Sequence, residues 1–455
     1  MLGNHFPRPL TRQRHILKRS KQLMFMQALR VNIFDMAMAI AKVVDMINTA
    51  IGRHHLQVAY LAYQLADALA LSDDEKFEIF IAGLLHDIGA FSLQERLDLL
   101  EFEDTQPGEH AIAGSLIIKT FKPFEPIARL IRYHHLPWRH ARGAFQDHAP
   151  VPVGSHIIHL ADRVAVKVSA DEPVLAMVSG ICESIAKRSG EIFAPEHVDA
   201  LLAMRDREYI WLDAASNDIE NILKRTVNYP SRDFSIQQLV EFSKLICSLI
   251  DFKSEFTATH SSGVAAVAVE LARITGFSRN ERRLIKMAGY LHDLGKLAIP
   301  SEIIEKPGQL TQHERFVMRA HVYHTYQALE PFQVLRLVSQ WGSLHQERLN
   351  GTGYPFGLDA DDLPLGARIM AVADVFTALT EDRPYRKGMD AKNTKAVLKT
   401  MADQEELDPR LIDRVFRHYD MLNTIRKNAQ KEAMDAYVAF QNDLERSLKN
   451  GSMQV

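Results

Sequence analysis

The chain has 455 residues, 47% of them hydrophobic and 24% charged, proportions that exclude a disordered or fibrous protein for most of its length. Lys+Arg 54 against Asp+Glu 57 leave a net charge of −3, which argues against a protein built to grip duplex DNA. The two cysteines, Cys182 and Cys247, are too few for a disulfide framework or a thiolate zinc site and fit a reducing cytoplasm.

In chain order, residues 1–24 read as a basic solvated arm. Arg8, Arg12, Arg14, Lys18, Arg19 and Lys21 lie there, without an apolar run long enough for a secretory signal. Val31 to Ile51 is the most apolar long stretch, but Asp35, Lys42, Asp45 and Asn48 within it are costly in a bilayer core. Its apolar residues recur at helical spacing, so it predicts an amphipathic helix packed on a domain and no membrane span. Helical periodicity continues over Glu75 to Leu85 and Pro126 to Tyr133, then over Ser235 to Ile250, Glu281 to Leu291 and Leu365 to Leu379. Gly276, Pro300, Pro307 and Gly308 mark stops and loops. Alternating strand patterns are scarce, and the predicted fold is all-α. Asn, Ser, Asp and Pro230 gather between Trp211 and Asp233, which predicts a linker over 211–233 between domains at 25–210 and 234–425. Residues 426–455 read as a polar helix or tail.

The chain contains 20 histidines, and their positions repeat. The segment ending at His54 aligns with the one ending at His260, beginning at Asp45 and Asp251. Gly83-Leu-Leu-His86-Asp87-Ile-Gly89 aligns with Gly289-Tyr-Leu-His292-Asp293-Leu-Gly295. His54 to His86 and His260 to His292 are both 32 residues; His110 to His134 and His321 to His345 are both 24. Asp162 follows His134 by 28 residues, and Asp374 follows His345 by 29. Four matched spacings indicate a duplicated domain.

Dispersed histidines and aspartates of this kind suit divalent metals that accept imidazole and carboxylate ligands. Adjacent His and Asp side chains point about 100° apart on a helix, so one can serve one metal while the carboxylate bridges to a second. Two bridged metals activate water and stabilise both oxygens of an in-line phosphoryl displacement.

The second copy closely resembles the HD-GYP family of cyclic dinucleotide phosphodiesterases, within the HD superfamily of metal-dependent phosphohydrolases. The resemblance rests on Thr259-His260-Ser261, His292-Asp293-Leu-Gly295-Lys296, His321, His345-Gln346-Glu347-Arg348, Gly351-Thr-Gly353-Tyr354-Pro355, Asp374 and Arg383-Pro384-Tyr385-Arg386, over about 235–390. It implies two tandem HD-type helical domains, the second with a Gly-Tyr-Pro loop. It also implies that His260, His292, Asp293 and Asp374 hold one metal, and that Asp293, His321, His345 and the position of Gln346 hold another. The family has His-His-Glu where this chain has His345-Gln346-Glu347; a Gln amide oxygen is a neutral, poorer donor than imidazole. Phe256 stands where some relatives carry a third-metal Glu, so two metals are expected, iron or manganese first, with nickel, cobalt or zinc as alternatives.

By the same resemblance Lys296 meets a substrate phosphate, on the His-Asp face if the helix continues past His292. Arg383 and Arg386 hold phosphodiester groups through forked donors, and Gly353 and Tyr354 lie beside the substrate. The implied reaction is hydrolysis of a 3′,5′-cyclic dinucleotide, cyclic di-GMP by default and 3′,3′-cyclic GMP-AMP as the alternative, to the linear dinucleotide. The competing reading is a non-catalytic cyclic dinucleotide sensor or scaffold with a weakened metal site. A signalling-protein partner at the Gly-Tyr-Pro loop and a homodimer are both compatible with the family. The first copy keeps His54, His86, Asp87, His110, His134, His135 and Asp162, all seven ligand-type positions, but has Ala90 in place of Lys296 and no Gly-Tyr-Pro loop. Three roles stay open for it: diverged hydrolase, metal-bound regulatory domain or packing partner.

Overall fold

A computed structural model describes residues 31–45, 53–90, 108–141, 145–146, 149–168, 172–228, 233–252, 258–306, 308–330, 332, 335–382 and 387–451. They are helical almost throughout and fall into two compact units. One unit takes residues 33–228, 297–304 and 435–451; the other takes residues 31–32, 233–296 and 305–434. Among the described residues β-structure is limited to two short antiparallel ladders and two isolated bridges, Ser189 with Phe193 and Asn350 with Asp359. β1 (Val31–Asn32) pairs with β4 (Asp233–Phe234), and β2 (Phe145–Gln146) with β3 (Ala149–Pro150). The expected basic arm at 1–24 lies outside the described residues, as do Phe256, Arg383 and Arg386.

The first unit contains α1 (Ile33–Asp45), α2 (His54–Ala68), α3 (Asp73–Leu85), α4 (Glu109–Ile118), α5 (Glu125–Arg132) and α6 (Val153–Ala165). After these come α7 (Val174–Ala186), α8 (Pro195–Ala203), α9 (Glu208–Ala214) and α10 (Ile219–Thr226). The second contains α11 (Ile236–Asp251), α12 (His260–Ile274), α13 (Arg279–Leu291), α14 (Gln312–Leu329), α15 (Arg336–Ser343) and α16 (Leu365–Thr380). It continues with α17 (Ala391–Asp403), α18 (Pro409–Arg417) and α19 (Tyr419–Gly451), the last running across the division at 434.

The two copies start their His-Asp helices in the same way. Ser72 caps α3 by accepting from the Glu75 N–H, and the Glu75 carboxylate accepts from the Ser72 N–H. Ser278 and Glu281 form the same reciprocal box on α13. Such a cap stabilises a helix start by about 1 kcal/mol. Further along these helices, a Cβ at Gly83 would meet the Ala59 Cα at 3.0 Å, and one at Gly289 would meet the Ala265 Cα at 2.5 Å. These glycines let α3 cross α2, and α13 cross α12, at backbone contact, which brings His54 near His86 and His260 near His292.

Helices α6 and α16 are the central elements of their units. Every residue from Gly154 to Ala165 is buried, and along α16 Ile369 to Ala373 and Phe376 are buried too. Helices buried on nearly all sides hold their few polar residues in a low-dielectric interior; here those include Asp162 and Asp374.

The stretch 211–233, expected as a linker, carries most of α9 and all of α10. Its Asn, Ser and Asp residues punctuate two short helices, while Trp211, Ile219, Ile222 and Leu223 are buried. Apolar burial overrides the loop-like composition there. The polar tail expected after 425 is the later part of the 33-residue helix α19.

Candidate metal centres

In the second unit, six of the seven ligand-type positions are histidines or aspartates, and they converge from three helices and from the turns that follow two more. His260 opens α12, His292 and Asp293 follow α13, His321 sits inside α14, His345 follows α15, and Asp374 lies on α16. Asp293 faces two sides at once. Its Oδ2 lies 3.2 Å from His292 Nε2 and 2.6 Å from Lys296 Nζ, while Oδ1 lies 3.2 Å from His321 Nε2 and 4.0 Å from His345 Nε2. His260 Nε2 meets Asp374 Oδ1 at 3.2 Å. Ligand atoms gather in two overlapping groups, His260–His292–Asp374 and His292–Asp293–His345.

The tautomers follow from local backbone bonds. His292, His321 and His345 each hold Nδ1 against the carbonyl three residues earlier, at Gly289 (2.8 Å), Met318 (2.5 Å) and Gly342 (2.7 Å). Nδ1 is therefore the N–H donor, and Nε2 turns a lone pair inward. The buried Nε2 atoms of His292 and His321 form no hydrogen bond although Asp293 is close. Lone pairs converging on a carboxylate are unfavourable unless a cation lies between them, so these residues fit a divalent metal.

The carboxylates give the site a negative potential that draws a cation, either a proton or a metal. Burial disfavours the Asp293 carboxylate, but His292 and Lys296 outweigh it and hold Asp293 well below the usual range. Burial also opposes charge on His260, yet Glu381 and Asp374 push it up to about 10, so a metal binding there displaces a proton from this ring. Burial, reinforced by the neighbouring charge of His292, pulls His345 down to about 3 and keeps it neutral, the form a metal needs.

Lys296 departs from the sequence expectation in its backbone. Helix α13 ends at Leu291, and Lys296 lies in a 3₁₀ turn, Leu294–Ala298. The tighter turn still brings its ammonium to Asp293. Gly295 permits this packing, since a Cβ there would fall 2.0 Å from the His321 carbonyl oxygen. Gly89 is equally close to the His110 carbonyl, at 2.1 Å.

Gln346 presents its amide nitrogen, a donor and not a ligand atom, to Asp374 Oδ2 at 3.3 Å. Immediately after it, the Gly-Tyr-Pro loop is tied down from below. The buried Glu347 carboxylate accepts from the Phe356 N–H (2.7 Å) and the Leu358 N–H (3.0 Å). A Cβ on Gly353 would lie 2.4 Å from Glu347 Cα, so only glycine lets the loop approach this closely. The Tyr354 N–H donates to the Gln346 carbonyl at 3.3 Å, and the Arg319 guanidinium lies 4.2 Å from the Tyr354 ring centre.

The first unit assembles all seven of its expected residues. His54 Nε2 lies 3.1 Å from Asp162 Oδ1, and His86 Nε2 lies 3.1 Å from Asp87 Oδ2. Asp87 Oδ1 faces His110 at 3.3 Å and His134 at 3.4 Å, and His135 completes a group with these three. The buried Nε2 atoms of His86, His110 and His134 make no hydrogen bond, so this cluster passes the same test for a metal. It differs in burial among the described residues. All seven residues are buried, Ala90 is fully buried where the other unit has the partly exposed Lys296, and the Arg163 guanidinium binds Asp162 Oδ2 at 2.7 Å.

Three residues escaped the sequence reading. Glu381 holds His260 Nδ1 with both oxygens, at 3.0 and 3.1 Å. Asp251 accepts from Ser261 at 2.8 Å, as Asp45 contacts His55 in the first copy. Thr325 accepts from the Gly295 N–H at 2.9 Å and donates to the His292 carbonyl at 3.1 Å. The alignment of Asp45 with Asp251 held a signal for the second of these; Glu381 had none, because the matching offset in the first copy is Ser169.

Comparison with known proteins gives concordant matches. HD domain family models match residues 244–411 and 51–167. The chain is 30% identical over 401 residues to 3′3′-cGAMP-specific phosphodiesterase 1 of Vibrio cholerae serotype O1, covering 85% of this chain and 92% of that protein. It is 33% identical over 279 residues to the cyclic di-GMP phosphodiesterase response regulator RpfG of Xanthomonas campestris pv. campestris, covering 58% and 68%. The crystal structure of the cyclic GMP-AMP specific phosphodiesterase V-cGAP3 of V. cholerae shares the fold, with a TM-score of 0.58 at 20% identity over 89% of this chain and 98% of that one.

Proposed function

The chain belongs to the HD-GYP family of the HD superfamily of metal-dependent phosphohydrolases, with a further HD domain at its N-terminal side, and on that premise we propose that its second domain hydrolyses a 3′,5′-cyclic dinucleotide. The observation that carries the reading is Asp293, whose two oxygens face different histidines while Lys296 stands beside it. Relatives are named for 3′3′-cGAMP and for cyclic di-GMP. We place 3′3′-cGAMP first, because that relative aligns over 92% of its length.

His260, His292, Asp293 and Asp374 would hold one divalent metal, and Asp293, His321 and His345 a second, iron or manganese first. Metals bound there supply Lewis-acid activation of water and of the phosphoryl oxygens. Asp293 keeps both oxygens ionised for that task, and Lys296 adds a cation that stabilises charge developing on phosphorus. Arg383, Arg386, Gly353 and Tyr354 are assigned to substrate binding. Water adds across one P–O3′ bond; the proton goes to the departing 3′-oxygen, and the product is a linear dinucleotide with a 5′-phosphate end. A signalling partner at the Gly-Tyr-Pro loop and a cytoplasmic location fit this reading. Among the described residues no helix is long and apolar enough to cross a membrane.

One feature favours a non-catalytic sensor instead: Gln346 offers a donor where the family has an imidazole. Product analysis separates the two. Protein loaded anaerobically with Fe²⁺ or Mn²⁺ is incubated with cyclic di-GMP and 3′3′-cGAMP. A linear dinucleotide supports the hydrolase, whereas saturable binding without product supports the sensor.

A further inference from the structure

Three of the second-domain histidines hand Nδ1 to a backbone carbonyl of their own turn. His260 does not. Its Nδ1 points at the Glu381 carboxylate, 121 residues away in sequence, which is buried at 6% exposure. Glu381 is held in turn by helix α19: the Gln430 Nε2 donates to Glu381 Oε2 at 2.9 Å. Gln430 is itself oriented, because its Oε1 accepts from the guanidinium of buried Arg426. Space for Gln430 comes from Gly263, where a Cβ would meet Gln430 Cγ and Nε2 at 3.1 Å. A continuous chain of contacts thus runs Arg426–Gln430–Glu381–His260–Asp374, and its far end is one of the two groups of ligand atoms.

A carboxylate on the outer nitrogen of a ligating imidazole fixes the ring and raises its basicity toward a metal, and losing such a partner typically costs 10–100-fold in metal affinity. Gln430 hydrogen-bonds to Glu381 and Arg426, so its link to His260 runs through Glu381. The first copy has no equivalent at this offset, where the residue is Ser169.

We propose that Glu381 and Gln430 are positioning residues that tie the C-terminal helix to His260, so that the seating of α19 sets the affinity of the His260–His292–Asp374 site for a divalent cation. The proposal rests on the reading that this site holds a metal. It makes the C-terminal helix part of the metal centre, and any ligand or partner that shifts α19 near Gln430 would change metal occupancy without touching a ligand.

The test is titration of metal-stripped, full-length protein with Mn²⁺ by calorimetry, in an Asp87→Ala background that disables the first-domain cluster. Glu381→Gln keeps the shape and removes the charge; it should weaken Mn²⁺ binding roughly 10-fold or more. Gln430→Leu, which removes the hydrogen bond to Glu381, should weaken it by a smaller factor, about threefold. Because Gln430 works through Glu381, the double variant should bind about as weakly as Glu381→Gln alone. Thermal melting of the metal-free proteins controls for folding, and if Glu381→Gln unfolds, Gln430→Leu still decides the matter. Wild-type affinity in a folded Gln430→Leu protein, or additive losses in the double variant, overturns the relay. Absence of Mn²⁺ binding to the parent protein overturns the metal-site reading itself and the relay with it.

Discussion

At Gln346 an amide nitrogen, rather than an imidazole, faces Asp374. His135 occupies the corresponding place in the first copy, so Gln346→His restores a ligand that the family pattern contains. That change is expected to raise Mn²⁺ affinity about five- to 150-fold, or about 1–3 kcal/mol, in a titration of metal-stripped protein. An unchanged affinity in a folded variant would put residue 346 outside the coordination sphere. A different histidine carries a pH prediction. His156 is buried edge-on against Trp138, at 5.2 Å between ring centres, and burial, with the nearby charge of His197, pulls it down to about 4. Its ordinary value is 6.5, so between pH 6.5 and pH 4 the unfolded chain binds more protons than the folded one. The stabilisation is full above about pH 6.5 and is lost as pH falls toward 4, by about 2–3 kcal/mol. Urea unfolding at pH 7.5 and pH 4.5 should show a smaller acid loss in His156→Phe than in wild type; equal losses would contradict this. The ligand-type residues were legible in the sequence because metal chemistry demands particular side chains and the duplication printed their spacing twice. The direction of the Gln346 amide and the Glu381 contact were not, since both depend on how distant elements pack.

Helices were legible wherever apolar residues kept a 3.6-residue period, as over Glu281 to Leu291, where α13 forms. Two elements were not. The stretch 211–233 reads as a linker by composition, yet Trp211, Ile222 and Leu223 bury against the first unit and make it helical. The segment after His292 leaves the α-helix for a 3₁₀ turn, where Gly295 packs against the His321 carbonyl. The Gly-Tyr-Pro loop shows how an irregular element is built. Leu349, Phe356 and Leu358 pack on Leu344, Leu363 and Ala367, and Glu347 satisfies two of the loop's N–H groups from beneath. Glu347→Gln keeps the size but sets an amide donor against one of those N–H groups. It should destabilise the loop by about 1–3 kcal/mol, read as faster proteolysis within 350–358 while the remaining helices stay protected. Unchanged cleavage would mean that the apolar packing alone holds the loop.

Over the whole chain, one helical plan is used twice with two outcomes. Both copies share the capping boxes, the glycine crossings and the His-Asp turn. They diverge around the cluster. The first buries all seven of its ligand-type residues, with Ala90 beside them and Arg163 on Asp162. The second keeps the partly exposed Lys296 and adds the Gly-Tyr-Pro loop. On this difference we propose that the chemistry belongs to the second domain, while the first has the residues to hold a metal. The most direct test runs wild type, Asp87→Ala and Asp293→Asn in parallel, each loaded with Mn²⁺, on 3′3′-cGAMP and cyclic di-GMP. Asp293→Asn should lose at least about 100-fold in turnover, on the order of 3 kcal/mol in barrier, while Asp87→Ala stays near wild type. Near-normal turnover by folded Asp293→Asn, or its loss in Asp87→Ala with the second-domain metals retained, would contradict the assignment of catalysis to the second domain.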